Sequence, residues 1–445
     1  MFDYLLLAIL MFVLLFIFIS ADEIQSRDDA VNTGGITSLI ECMAFGATVG
    51  NDNTDGDKAE TVSCKLNRIG AIDQVTTNRE NICFFVDVVS DNAERGLELL
   101  ADAVLRPATT TESIAAAVED LTFRNDYMMA DVMSRDGMSM AAYKGSSLGN
   151  FHFPKNMLQV GMHTPEKVAQ FRQSLMYGEN CVLAAAGMEH NELVAMAKKY
   201  FDTTHLSATS PTVTAKKTAA VYTGGLYVEQ RELQEPFVKL AIGYEVGGYK
   251  SDKLYTMCVL EKLLGGGSSF SAGGPGKGMY TRLYLDVLNK HHWIESAQSF
   301  VTPHETNGLL GIDASCQGEN IQYLYQVVLD QFLRLATQEV TPLELSRAKN
   351  MLRSQLMMQL ESRIVTCEDI ARQYATYGKR DLPEVTCDKI ESVTAADIQH
   401  LVKTMLMQPP SIVCIGEDVS HLPTYEQLRD FTMKKTMETI NTSPQ

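Results

Sequence analysis

Apolar residues recur along this chain in two rhythms, and each predicts a different element. Short apolar runs such as ICFFVDVV (82–89) and VKLAIGYEV (238–246) predict strands. The stretches after them take helical spacing. Leu97, Leu100, Ala101 and Val104 share one helix face. At 341–344 the chain spells a helix start: Thr341 as cap, Pro342 in the first helical position, Glu344 three residues after the cap.

The same succession is written twice. LIECMAFG (39–46) resembles VLEKLLGG (259–266), and FFVDVVSDNAERGLELLADAVL (84–105) resembles LLGIDASCQGENIQYLYQVVLDQF (309–332), with Asp87 matching Asp313. TTESIAAAVEDLTF (110–123) resembles TPLELSRAKNMLRS (341–354), and CVLAAAG (181–187) resembles SIVCIG (411–416). Four pairs in one order, at nearly one offset, predict two homologous α+β halves. Each half is expected to be a mostly antiparallel sheet with helices packed on one face, the two enclosing a cavity. The expected divisions are a hydrophobic run at 1–21, a first domain at 22–205, a Ser/Thr/Ala-rich linker at 206–223 and a second domain at 224–445.

The run 4–21 carries no charge and is nearly long enough to span a bilayer. Only Met-Phe-Asp precedes its first residue and the first basic residue is Arg27, so it makes a poor signal peptide. Three readings stay open: a membrane anchor, a buried strand, or a misassigned start. The repeat lays the strand 238–246 onto its end, from Phe18 on. Part of 12–20 is therefore expected to be a buried strand of the first sheet. The counterpart of 225–233 would fall before residue 1, so the first sheet should lack an edge strand.

Composition narrows the function classes. A chain of 445 residues that is 45% hydrophobic can bury large cores. Nine Cys with no C-x-x-C pair fit a reducing compartment and neither a disulfide framework nor a zinc ribbon. A net charge of −17 disfavours nucleic acid and suits basic partners.

The segment LLGGGSSFSAGGPGKGMYTRLYLDVL (263–288) concentrates Gly265, Gly266, Gly267, Gly273, Gly274, Gly276 and Gly278. It is not a P-loop: Lys277 is followed by Gly278, and Ser271 stands where the first glycine is needed. A dinucleotide fingerprint would follow a strand, and LYTMCVLEKLL before it has helical spacing.

This loop, with HHWIESAQSF (291–300) and LESRIVTCEDIARQYATYGKR (360–380), resembles the pitrilysin-type processing peptidases, over about 34–419. Within that family the chain is most similar to the non-catalytic subunit of the heterodimeric mitochondrial members. Catalytic members hold zinc through H-x-x-E-H on a helix and a distal Glu. The corresponding positions here are Ser38, Leu39, Ile40, Glu41 and Cys42, with Arg124 at the distal place. Both His are replaced and only Glu41 remains. None of the nine His of the chain forms an H-x-x-E-H or H-x-x-x-H.

The resemblance implies no catalysis and no metal in this chain, with zinc carried by a catalytic beta subunit. It implies a role in holding basic presequence peptides of imported mitochondrial precursors, in the matrix or at the matrix face of the inner membrane. A loop without bulky side chains can bond an extended peptide through its backbone whatever the peptide's sequence. Its substrate-binding residues would be Gly265, Gly266, Gly267, Ser268, Ser269, Phe270, Gly273, Gly274, Gly276, Lys277 and Gly278. Carboxylates should meet presequence arginines, and Glu361, Glu368 and Asp369 are expected to serve. The alternative is a structural core subunit of the respiratory cytochrome bc complex, with or without the processing role.

Overall fold

The computed structural model describes residues 12–20, 34–48, 60–175, 180–201, 220–233, 236–268 and 279–442. Most of the expected linker and the loop residues Ser269, Phe270, Gly273, Gly274, Gly276, Lys277 and Gly278 lie outside the described residues.

The first half runs β1 (Phe12–Ser20), α1 (Ile36–Cys42), α2 (Val62–Arg68), β2 (Ile72–Thr77), β3 (Asn81–Val89), α3 (Ala93–Leu105), α4 (Thr111–Asp126), α5 (Ala130–Ala142), α6 (Met157–Gly161), α7 (Pro165–Leu175), β4 (Cys181–Ala186) and α8 (His190–Tyr200). The second runs β5 (Gly225–Gln230), β6 (Val238–Gly247), α9 (Leu254–Leu264), β7 (Gly266–Ser268), a π-type turn (Leu283–Leu288), β8 (Ile294–Pro303), β9 (Asn307–Cys316), α10 (Ile321–Thr337), α11 (Pro342–Leu360), α12 (Arg363–Tyr377), α13 (Pro383–Glu391), α14 (Ala395–Leu406), β10 (Ser411–Gly416) and α15 (Tyr425–Thr442). The strand–helix order from β1 to α8 repeats from β6 to α15, so the fold is α+β with two homologous halves.

The first sheet has the order β2-β3-β1-β4 and the second β5-β10-β6-β9-β8-β7. The hydrophobic run 12–20 is thus an interior strand, antiparallel to both neighbours, with Phe16 opposite Phe85 and Ala184. Leu15 and Phe16, which point to opposite faces, are both fully buried. A strand covered on both faces needs apolar residues at every position, which is why this run reads like a membrane span. The anchor-helix alternative is corrected for these residues. No described helix is long and apolar enough to cross a membrane. In the second sheet β5 pairs parallel to β10. Among the described residues nothing pairs on the outer side of β4.

The main helical layer of each half packs on one sheet face. Leu97, Leu100 and Val104 of α3 join Leu15, Phe84 and Val86. Leu324, Val328 and Phe332 of α10 join Leu240, Ile242 and Ile312. The other face takes one more helix, and that helix comes from the other half of the sequence. Cys367 and Ala371 of α12 pack with Phe16, Cys83, Phe85 and Ala184 of the first sheet. Met133, Met138 and Ala142 of α5 pack with Ala241, Val413 and Ile415 of the second. The compact units accordingly cross the sequence: one comprises 1–127, 152–218 and 358–380, the other 128–151, 219–357 and 381–445. Since α5 and α12 hold equivalent places in the repeat, the exchange is reciprocal.

The repeated aspartates lie on these second faces. In the first unit Asp87 meets Arg363 of α12 at 3.5 Å. In the second, Asp313 is buried and meets Lys239 at 3.3 Å. Lys239 also pairs with Asp131 of α5.

Candidate functional site: an emptied metal motif and a glycine-rich stem

Helix α1 turns Ile36, Leu39 and Ile40 into the core, which leaves Glu41 on its open side. Beside it runs α4, started by a capping box between Thr110 and Ser113 and ending in Arg124 and Asp126. Arg124 donates from Nη1 to Glu41 at 3.1 Å and pairs with Asp120, one turn back, at 2.9 Å. The Thr77 hydroxyl of β2 donates to the second Glu41 oxygen. Arg124 is half exposed, so its pair with Glu41 contributes at most about 1 kcal/mol.

Ser38 is buried, and its hydroxyl donates to the His152 carbonyl at 3.3 Å. Burial pushes the Cys42 thiol up to about 12, against a lowering pull from Arg124. A zinc ion would need deprotonated thiolate, imidazole or carboxylate donors. This place offers a hydroxyl engaged by backbone, a thiol whose burial disfavours the thiolate, and the Glu41 and Asp120 carboxylates already held by a guanidinium that repels cations. The residues present do not fit the metal.

The glycine-rich segment follows α9 over a hydrogen-bonded stem. Gly265 ends that helix with φ 58°, and a Cβ there would stand 2.3 Å from Thr281 Cγ2. Gly266 has φ 101°, and its Cβ would meet the Ala297 carbonyl oxygen at 2.0 Å. Both positions therefore need glycine for local reasons. Strand β7 then pairs with β8, Gly266 opposite Gln298. The Ser299 N–H donates to the Gly265 carbonyl at 2.8 Å, and its hydroxyl donates to the Glu261 carbonyl at 2.7 Å. On the returning limb, Thr281 Oγ1 accepts from the Gly266 N–H at 3.1 Å. The Tyr284 hydroxyl donates to the Ser268 carbonyl at 3.0 Å. Arg282 holds Glu344 of α11 in a two-point pair, one bond at 3.0 Å.

The three expected acids differ in availability. Glu361 and Glu368 are exposed. Asp369 is half-buried and already engaged: Arg372 reaches it at 2.8 Å, Arg380 at 3.2 Å and Gln373 at 2.9 Å.

Comparison with known proteins assigns the chain to a family. Residues 23–152 match the model described as Insulinase (Peptidase family M16), and residues 163–352 the one described as Peptidase M16 inactive domain. The chain belongs to peptidase family M16. Its M16 relatives include the mitochondrial-processing peptidase subunit alpha of Bos taurus, 34% identical over 91% of this chain and 78% of that protein. The Homo sapiens protein of that name is 32% identical over 91% and 78%, and the Caenorhabditis elegans one 30% over 91% and 81%. A chain from a structure of complex III2 of Candida albicans superposes with a TM-score of 0.75 at 16% identity, covering 95% of this chain and 94% of that one; it shows the same fold.

In this M16 chain, sequence reasoning missed Asp120 and Thr77 beside Glu41, and Thr281, Tyr284 and Ser299 in the stem. Asp120 stands one helical turn from Arg124, a spacing that could have found it. Nothing in the sequence pairs Thr281 with a glycine across the loop.

Proposed function

We propose that this chain is the non-catalytic, substrate-recognising subunit of a heterodimeric zinc endopeptidase that removes N-terminal presequences from imported mitochondrial precursors. The observation that carries the reading is Arg124 donating to Glu41. The one carboxylate left of the H-x-x-E-H pattern is held by a guanidinium, and a general base without a metal-bound water has nothing to activate. Zinc then resides in a catalytic beta subunit, and this chain works with it in the mitochondrial matrix or at the matrix face of the inner membrane. Its relatives' name, mitochondrial-processing peptidase subunit alpha, supports the assignment.

The chain's share is binding. Basic presequences are drawn by its net charge of −17 and by carboxylates such as Glu361 and Glu368. The glycine-rich segment contributes backbone donors and acceptors to an extended peptide of any sequence. A scaffold role in the respiratory cytochrome bc complex has only the likeness of fold behind it.

The test is Glu41→Gln in the assembled heterodimer. Presequence cleavage should stay within about twofold of wild type, because the lost ion pair is half exposed. Loss of cleavage with normal assembly would mean that Glu41 takes part in the chemistry.

A further inference from the structure

Helix α4 has one face in the core of the first unit and one face in solvent. Ile114, Ala117 and Leu121 are its buried residues. On the opposite side Glu112, Ala116, Glu119 and Phe123 recur at helical spacing along one exposed stripe. The stripe ends in a pair of rings. Phe123 and Tyr127 are each 63% exposed, with centroids 4.7 Å apart. Ala115 and Ala116 keep the middle of the stripe low, which lets a second helix lie close to it.

Helix α6 lies beside α4. Asn125 Nδ2 donates to the Pro154 carbonyl at 3.5 Å, and a Cβ at Gly161 would stand 3.9 Å from Val118 Cγ2. The short helix therefore runs antiparallel to the end of α4. Val160 anchors it in the core. Leu158 and Met162, four residues apart, are 84% and 81% exposed. Single exposed apolar side chains are ordinary on any protein surface. Two such pairs on neighbouring helices, all four residues well over half exposed, form the kind of patch that marks a contact surface.

The charge along this surface is negative. Helix α4 carries Glu112, Glu119, Asp120 and Asp126 against one cation, Arg124, which is engaged by Glu41 and Asp120. Lys155 and Lys167 flank α6 in the chain, so the excess of carboxylates lies along α4. Apolar side chains edged by carboxylates are complementary to a helix with one apolar and one basic face. Met162 and Leu158 also suit a varied partner, since unbranched and flexible apolar side chains repack against different shapes.

We propose that the exposed face of α4 and α6 is a docking surface for the helical, basic amphipathic part of a presequence, with Phe123, Tyr127, Leu158 and Met162 against its apolar side and Glu112 and Glu119 toward its cations. This inference rests on the reading of the chain as a presequence-binding subunit. None of the six residues meets the scissile bond in this account, so they act on affinity and not on the chemical step.

The experiment gives the assembled heterodimer two synthetic substrates: a full presequence peptide, basic and amphipathic, and a short peptide that spans only its cleavage site. Three variants are compared with wild type: Phe123→Ala with Tyr127→Ala, Leu158→Ser with Met162→Ser, and Glu119→Lys. Every changed residue is exposed, so folding and assembly should be kept. Lost apolar contact predicts a KM for the full peptide about threefold to tenfold higher in each double variant. Glu119→Lys should raise it about threefold at low salt and less at high salt. The kcat, and both constants for the short peptide, should be unchanged.

A full-peptide KM that stays at the wild-type value in all three variants overturns the docking surface and leaves the processing reading standing. Equal rises in KM for the full and the short peptide also overturn it, because the face would then support the site in general. Loss of assembly with the catalytic subunit would give the face to that partner and overturn the proposal. A wild-type heterodimer that cleaves neither peptide sinks the processing reading itself, and the docking surface with it.

Discussion

Replacing Lys239 by Met should expose how the exchanged helix α5 is held. Lys239 and Asp313 have side chains 11% and 1% exposed, and Asp131 of α5 binds the same ammonium. Met keeps most of the stem volume and removes the charge. A buried carboxylate that loses its partner typically costs about 3–5 kcal/mol. A second bound comes from protonation. Asp313 can escape its isolation by taking up a proton, and from an ordinary carboxyl pKa of 3.8 that costs about 4 kcal/mol at pH 7. Burial already pushes this carboxyl upward against the pull of Lys239, in the direction of that escape. Arg135, stacked 4.2 Å from the Phe300 ring centroid, stays nearby and draws the penalty toward the lower figure. The predicted loss is therefore about 3 kcal/mol at pH 7. It should shrink to about 1–2 kcal/mol near pH 5, where neutralising the acid is cheaper. Lys239→Met with Asp313→Leu should recover most of the loss, since neither charge is then buried alone. Trp293, the single Trp of the chain, packs against the core of this unit, so urea unfolding followed by Trp fluorescence reads the unit directly. A loss below 1 kcal/mol, or one that does not change between pH 7 and pH 5, would refute the reasoning.

Other consequences are simpler to test. Gly266→Ala should destabilise the stem by at least about 1–3 kcal/mol, because the residue sits at φ 101° with backbone oxygen where the Cβ would go; faster amide exchange at 266–268 reports it. His163 is buried with its Nε2 against the Gly34 carbonyl at 3.0 Å, and burial lowers its pKa. The unfolded chain then binds the proton better, so the first unit should lose stability as pH falls below about 6.5. His163→Asn should flatten that pH dependence of melting.

Much of the fold could be read before any coordinates. The duplication and the interior strand at 12–20 followed from apolar patterning and one repeat offset. The exchange of α5 and α12 could not be read. Helix α5 carries buried Ser134, Asp136 and Ser139, so its core face does not look apolar. On α12 only Cys367 and Ala371 are buried, a stripe too narrow to name the sheet it covers. Which sheet a helix covers is a tertiary choice that local periodicity does not encode. At the emptied motif, the loss of both His was legible, and the guanidinium contact with Glu41 had only the aligned place of Arg124 behind it. The stem glycines were read with the rest of the loop, although Gly265 and Gly266 answer to Thr281 and Ala297.

The most direct measurement of the central claim is zinc content and presequence cleavage for the purified chain alone, its catalytic partner alone and the two combined. The account predicts no stoichiometric zinc and no cleavage for this chain alone, zinc in the partner, and efficient cleavage only on mixing. A purified chain that carries one zinc per molecule and cleaves presequence without a partner would contradict it.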